Sequence, residues 1–242
     1  DDLADEGCDP AAQRLSDLDC YGAELAACAA GRPASPRWRH VFRPLGDALR
    51  HFALPLPPLQ DLLSAFRQDV VKTRDGAGYA DRAELLDYCR RSANPVGRLL
   101  LHLYGIRDAA ALARSDDICT ALQLANFWQD LSVDLPRGRF YLPASDCLEH
   151  GLDPLAPTSW PAHPRARQLV AAQVQWARGL MRSGAPLVHQ VPGRAGWELR
   201  LVVQGGLRIL DRIEATGFDS FRVRPQLGTG DLAVLLWRAV RM

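Results

Sequence analysis

Lysine is nearly missing from this chain: Lys72 stands alone among the 29 Lys+Arg residues, which leaves 28 arginines. Planar arginine forks suit carboxylates and phosphates better than an ammonium does, although composition bias accounts for the same count. A surplus of either charge sign is missing as well. Against 28 Asp+Glu the formal net charge is +1, so the balance nominates neither nucleic acid nor an anionic surface as a partner. The six cysteines (Cys8, Cys20, Cys28, Cys89, Cys119, Cys147) include no C-x-x-C pair, which excludes the common zinc and dithiol motifs and predicts reduced thiols in a cytosolic protein. The six histidines lack H-x-x-x-H and H-E-x-x-H spacing; a zinc site is not expected, and His102 reads as a satisfied interior histidine. No apolar run approaches the roughly 18 to 20 residues of a membrane span, so the visible chain reads as soluble. No glycine-rich dinucleotide fingerprint is present either, which weighs only slightly against NADPH. The first residues, Asp1-Asp2-Leu3-Ala4-Asp5-Glu6, carry neither Met nor a leader and read as a cut start.

What remains is a globular composition, 48% hydrophobic and 24% charged, with 19 Gly and 17 Pro. Apolar residues recur at helical steps: Leu59, Leu62, Leu63, Phe66 and Val70 form one stripe, and Leu85, Tyr88, Cys89, Ser92 and Val96 another. No strand alternation competes. Pro and Gly clusters divide the pattern into about eight helices, with 150–164 as a flexible surface loop. The expectation is an all-α single domain over 1–242, a helical bundle with a central cavity.

Two aspartate pairs stand four residues apart, Asp1 with Asp5 and Asp130 with Asp134. Four steps of 100° bring a side chain back to within about 40° of its start, so each pair can share one helix face. Two opposed pairs would make an oxygen-rich site suited to Mg²⁺, which keeps waters and completes its shell with phosphate oxygens. The second pair lies in a telling neighbourhood, Gln123-Leu124-Ala125-Asn126-Phe127-Trp128-Gln129-Asp130-Leu131-Ser132-Val133-Asp134. Gln123, Asn126, Asp130 and Asp134 step by three, four and four, a polar stripe among large apolar residues. Such a stripe marks either a cavity or the solvent face of an amphipathic helix.

These residues carry a resemblance. Asp1 to Gly7 resembles the first aspartate-rich motif of the squalene and phytoene synthase family, and Gln123 to Asp134 followed by Arg137-Gly138-Arg139-Phe140-Tyr141-Leu142-Pro143 resembles the second. Tyr88-Cys89-Arg90-Arg91-Ser92-Ala93-Asn94-Pro95-Val96-Gly97 is similar to the family's central helix signature, and Glu198 to Leu210 to its C-terminal helices. Gln129 and the Ser92 to Gly97 segment resemble the bacterial hydroxysqualene synthase branch of hopanoid biosynthesis more than branches with arginine at the Gln129 position.

The resemblance implies the isoprenoid synthase fold and an Mg²⁺-dependent conversion of presqualene diphosphate to hydroxysqualene. Asp1, Asp5, Asp130 and Asp134 would hold the metal against the diphosphate; Tyr88, with Asp130 and Asp134, would be catalytic. Gln123, Asn126, Arg139, Tyr141, Ser92, Ala93, Val96 and Gly97 would bind substrate, the small ones leaving room for prenyl chains or else simply packing helices. The alternatives are head-to-head condensation of farnesyl or geranylgeranyl diphosphate and a non-catalytic lipid-binding member. The same resemblance implies an upstream segment contributing a further helix and pocket residues, and the lipid product suggests peripheral contact at the inner membrane face. Away from these motifs, Arg67, Asp69 and Arg74 are expected on an ion-paired outer face, Arg208 and Arg224 at the surface, and Trp197, Trp237, Phe218 and Phe221 in the core.

Overall fold

The computed structural model describes residues 9–242. Among the described residues every regular element is helical, and the elements outnumber the about eight that Pro and Gly punctuation marks. In chain order they are α1 (Ala11–Ala29), α2 (Arg39–His51), α3 (Pro57–Asp75), α4 (Arg82–Ser92), α5 (Asn94–Leu103), α6 (Ala109–Gln129), α7 (Leu131–Asp134), α8 (Ala144–Glu149), α9 (Ala166–Gly184), α10 (Gly193–Ala215) and α11 (Thr229–Val240). Short 3₁₀ turns cover Leu135–Arg137, Pro157–Ala162 and Ala185–His189. One extra break falls inside the Leu85 to Val96 stripe: Pro95 has no N–H to donate to the carbonyl of Arg91, so the helix stops at Ser92 and restarts as α5.

Local chemistry fixes several ends. Asp81 caps α4 by accepting from the Glu84 N–H at 2.9 Å, and Glu84 reaches back to accept from the Ala80 N–H at 2.7 Å. Asp108 does the same for α6 at the Ala111 N–H, 2.9 Å. α6 is the central element, packed on α5, α9 and α10. Its Leu124, Ala125 and Trp128 are buried in one cluster with Val170, Val174 and Leu210, and its Ile118 and Ala121 in another with Met181 and Val203.

Several expectations change. The 150–164 segment is no flexible loop: Leu152 and Trp160 are buried in the main core, and the Trp160 indole donates to the Asp153 carbonyl at 2.7 Å. Trp197 and Trp237 are not core but about half exposed, with Arg200 and Arg241 over their rings. Phe221 is buried, whereas Phe218 only packs against the core edge. His102 is satisfied, its Nε2 3.0 Å from the Phe52 carbonyl oxygen, though only half-buried. The five cysteines among the described residues are free thiols. No helix of the described residues is long and apolar enough to cross a membrane.

The C-terminal helix is docked by charge. Asp231, 1% exposed, accepts from Arg208 Nε at 2.6 Å, from Arg212 Nη2 at 2.8 Å and from the Gly228 N–H at 2.7 Å. Hydrogen bonds from Arg212, Gly228 and Arg208 hold its carboxyl far below the usual carboxylate range. A carboxylate with a depressed folded-state pKa stabilises the fold above its unfolded value of about 3.9 and loses that contribution as the pH falls further. The thermal midpoint of Asp231→Asn should therefore lie below the parent's at pH 7, with a gap that begins to narrow as the pH falls below about 4. A gap independent of pH would remove charge as the reason for the docking.

Candidate active site

The second aspartate motif straddles a helix break without losing its spacing. α6 ends at Gln129 and α7 begins at Leu131, yet the Asp130 N–H donates to the Asn126 carbonyl at 2.9 Å and the Asp134 N–H to the Asp130 carbonyl at 2.8 Å. The i to i−4 ladder therefore continues, and the two carboxylates stand one turn apart. The 3₁₀ turn then closes on Gly138, whose φ of +73° suits a residue without Cβ. That turn sends the Arg139 N–H back to the Asp134 carbonyl at 3.0 Å, which folds the arginine over the motif.

These residues form one wall of a cavity of about 660 Å³. Gln123, Asn126, Asp130, Asp134, Arg137 and Arg139 line it from α6 to the 3₁₀ turn; Leu62, Phe66 and Asp69 of α3, Tyr88 and Ser92 of α4 and Val96 of α5 line it from across, with Phe127, Val133, Tyr141 and Arg224 completing the lining. The polar stripe on α6 is thus a cavity wall, while Leu124 and Trp128 on the opposite face are fully buried. Of the expected site residues, Tyr88, Asp130, Asp134, Gln123, Asn126, Arg139, Tyr141, Ser92 and Val96 share this cavity. Asp1 and Asp5 lie outside the described residues.

Two small residues lie outside this cavity. Ala93 lines neither this cavity nor the cleft beside it. Gly97 faces α6: a Cβ there would fall 2.3 Å from Ser115 Oγ and 2.7 Å from Cys119 Sγ, so its smallness lets two helices approach. It borders an apolar cleft of about 330 Å³ whose walls include Leu100, Tyr104, Cys119, Leu122 and Leu199. Val96 lines both spaces, which lie side by side along α5 and α6.

Charges converge at the cavity mouth. Asp130 accepts from Arg224 Nε at 2.6 Å and Nη2 at 3.1 Å, and from Asn126 Nδ2 at 3.0 Å. Arg224 is exposed, as expected, but it also lines the cavity, because the segment after α10 is tied down, Gln129 Nε2 donating to the Pro225 carbonyl at 2.6 Å. Arg208 is turned away to Asp231. Arg67 and Arg74 do form outer ion pairs, with Asp19 and Asp75, but Asp69 points inward and accepts from the Tyr88 hydroxyl at 2.8 Å. One signal was available for Asp69: it follows Phe66 by three on the apolar stripe of α3, where a solvent-facing carboxylate does not belong.

Below the charges stands an aromatic wall. Phe127 and Tyr141 stack at 3.8 Å with 6° between their planes, and Tyr88 lies 6.2 and 6.3 Å from them. Burial, then the neighbouring Asp69 carboxylate, push the Tyr88 phenol well above its ordinary value, so at neutral pH it keeps its proton and holds it toward Asp69. Ser92 Oγ is buried with no hydrogen-bond partner among the described residues.

The donor set fits a divalent cation shared with substrate. No three His, Cys, Asp or Glu side chains converge as a cage among the described residues. Asp130 and Asp134 instead offer hard oxygens from consecutive turns. Mg²⁺, which dehydrates reluctantly, commonly takes one or two carboxylates and leaves the remaining positions to water and phosphate.

Comparison with known proteins agrees with this arrangement. The family model described as squalene/phytoene synthase matches residues 1–231. A phytoene synthase of Thermus thermophilus is 31% identical over 238 residues, 98% of this chain and 78% of that protein. A hydroxysqualene synthase of Sinorhizobium fredii is 33% identical over 214 residues, 88% of this chain and 68% of that one. The crystal structure of the squalene synthase HpnC from Alicyclobacillus acidocaldarius superposes with a TM-score of 0.80 at 36% identity, covering 90% of this chain and 79% of the other. With its all-helical fold, its aspartates on a polar-mouthed cavity and this match across nearly its whole length, the chain belongs to the squalene/phytoene synthase family of isoprenoid synthases, enzymes that act on prenyl diphosphates.

Proposed function

We propose that the protein converts presqualene diphosphate to hydroxysqualene, releasing diphosphate in an Mg²⁺-dependent reaction of squalene and hopanoid biosynthesis. The observation that carries this reading is the placing of Asp130 and Asp134 at a cavity mouth shared with Arg137, Arg139 and Arg224, above an aromatic wall and an apolar cleft. Asp1, Asp5, Asp130 and Asp134 would hold Mg²⁺, which supplies neutralisation of the charge gathering on the departing diphosphate.

The chain's own residues do the rest. Arg139 and Arg224 present forks to phosphate oxygens, and Gln123 and Asn126 donate amide hydrogens beside them. When the carbon–oxygen bond breaks, its electron pair leaves with the diphosphate and the cyclopropylcarbinyl cation remains in the cavity. The faces of Tyr88, Phe127 and Tyr141 offer π density to that cation. The carbon chains lie against Leu62, Phe66 and Val96 and continue into the cleft, where the apolar walls exclude water except at the polar mouth. A water there adds to the rearranged cation and gives up a proton, completing the alcohol. Tyr88, hydrogen-bonded to Asp69, supplies a fixed hydroxyl dipole beside the reacting carbons and a path for that proton to the carboxylate.

A second reading, head-to-head condensation of farnesyl or geranylgeranyl diphosphate, is favoured by the 31% identity to a phytoene synthase. Incubating the full chain with Mg²⁺ and each diphosphate in turn, then analysing the extracted lipid by mass spectrometry, separates the two. Hydroxysqualene from presqualene diphosphate is the expected product. Presqualene diphosphate or phytoene formed from the shorter substrates would move the assignment to condensation, and consumption of none of them would leave a non-catalytic lipid-binding member.

A further inference from the structure

Asp130 is nearly saturated before any metal arrives. A carboxylate offers about four lone-pair sites, and three are taken: Arg224 Nε is 2.6 Å from Oδ1, while Arg224 Nη2 at 3.1 Å and Asn126 Nδ2 at 3.0 Å share Oδ2. A divalent cation and a guanidinium cannot both sit on this carboxylate without strong repulsion. The backbone under Arg224 is pinned, because Gln129 Nε2 holds the Pro225 carbonyl at 2.6 Å. The side chain itself is not enclosed, being 44% exposed at the cavity mouth. It can therefore swing without rearrangement of the chain that carries it.

We propose that Arg224 is a stand-in cation: it neutralises Asp130 in the substrate-free enzyme, yields that carboxylate to the divalent metal, and moves its fork onto a phosphate oxygen of the arriving diphosphate. The inference rests on the reading of the cavity as a prenyl diphosphate site. Its consequence is coupling. Metal alone must displace Arg224 and leave it unpaired, whereas metal entering with diphosphate gives the displaced guanidinium a new anion. Metal and diphosphate then bind cooperatively, each strengthening the other by the same factor, and the cavity mouth is not left with an unbalanced aspartate pair between turnovers.

The test is binding rather than turnover, on the full chain and its Arg224→Gln variant, by calorimetric titration with Mn²⁺ alone and then with the preformed Mn²⁺–diphosphate complex. Mn²⁺ alone should bind the variant about tenfold more tightly than the parent, since nothing competes for Asp130; the Mn²⁺–diphosphate complex should bind it about tenfold more weakly, since the phosphate contact is gone. Arg224→Lys, which keeps the charge but loses the fork, should fall between parent and variant in both titrations and covers the case in which Arg224→Gln folds poorly. Opposite signs in the two titrations are the signature, because a merely structural role shifts both the same way. Changes of one sign, or none, overturn the stand-in role while leaving the diphosphate site intact. If the parent binds no Mn²⁺–diphosphate complex at all, the site reading fails and the inference fails with it.

Discussion

Asp134→Asn, and separately Asp130→Asn, should each lower turnover of the prenyl diphosphate by about 10³-fold, equivalent to about 4 kcal/mol of transition-state stabilisation. The amide is nearly the same size as the carboxylate, so helix content and thermal midpoint should change little. What changes is the donor: a neutral amide oxygen is a poor ligand for a hard dication that must also offset a diphosphate's charge. The two variants should still differ in one respect. Asp130→Asn also releases Arg224 from its bidentate pairing, leaving a guanidinium at the mouth without its partner, while Asp134 is 9% exposed and sits deeper under the turn that carries Arg139. Steady-state kinetics with a diphosphate-release readout, alongside circular dichroism, checks both. Activity within tenfold of the parent in either variant would remove that aspartate from the metal site.

Trp128→Ala should be the most damaging single change to stability near the site. Trp128 is fully buried on the face of α6 opposite Asp130, packed in the main core with Phe127, Leu124 and Leu131. Truncating a buried tryptophan to alanine costs about 3–5 kcal/mol, which for a chain of this size lowers the thermal midpoint by roughly 6–20 °C. The indole N–H is buried without a partner among the described residues, and an unmade buried hydrogen bond costs about 1–3 kcal/mol. Trp128→Phe removes that orphaned donor while keeping most of the ring, so it should stay within about 1 kcal/mol of the parent. Thermal unfolding of the three proteins gives the comparison; a phenylalanine variant as damaged as the alanine one would mean that the indole nitrogen has a partner that matters.

The parts of the fold and site legible in the sequence are those set by local spacing. The steps of three and four from Gln123 to Asp134 placed four polar groups on one face because α6 is helical and its opposite face is apolar, and the i to i−4 ladder preserved that face through the break at Asp130. The all-α class followed from the same periodicity. Legibility ends where the partner is distant in sequence. Arg224 meets Asp130 across 94 positions, and among 28 arginines nothing local distinguishes it. Asp69 looked like one member of a surface charge cluster, yet its side chain turns toward Tyr88 while Arg67 and Arg74 turn out. Ala93 and Gly97 belong to a run of small residues whose sequence left room for substrate and tight helix packing both open; the close approach of α5 to α6 makes Gly97 a packing residue that also borders the cleft. The tryptophans of α10 and α11 were misplaced because composition favours burying an indole, whereas these two lie about half exposed under arginine side chains.

The central claim, that Asp130 and Asp134 hold a divalent cation against a diphosphate, is most directly tested by anomalous diffraction at the manganese edge from crystals grown with Mn²⁺ and diphosphate. The account predicts a peak about 2.1 Å from carboxylate oxygens of both residues, with diphosphate oxygens completing the shell. Diphosphate density in the cavity with no anomalous peak at these aspartates would contradict it.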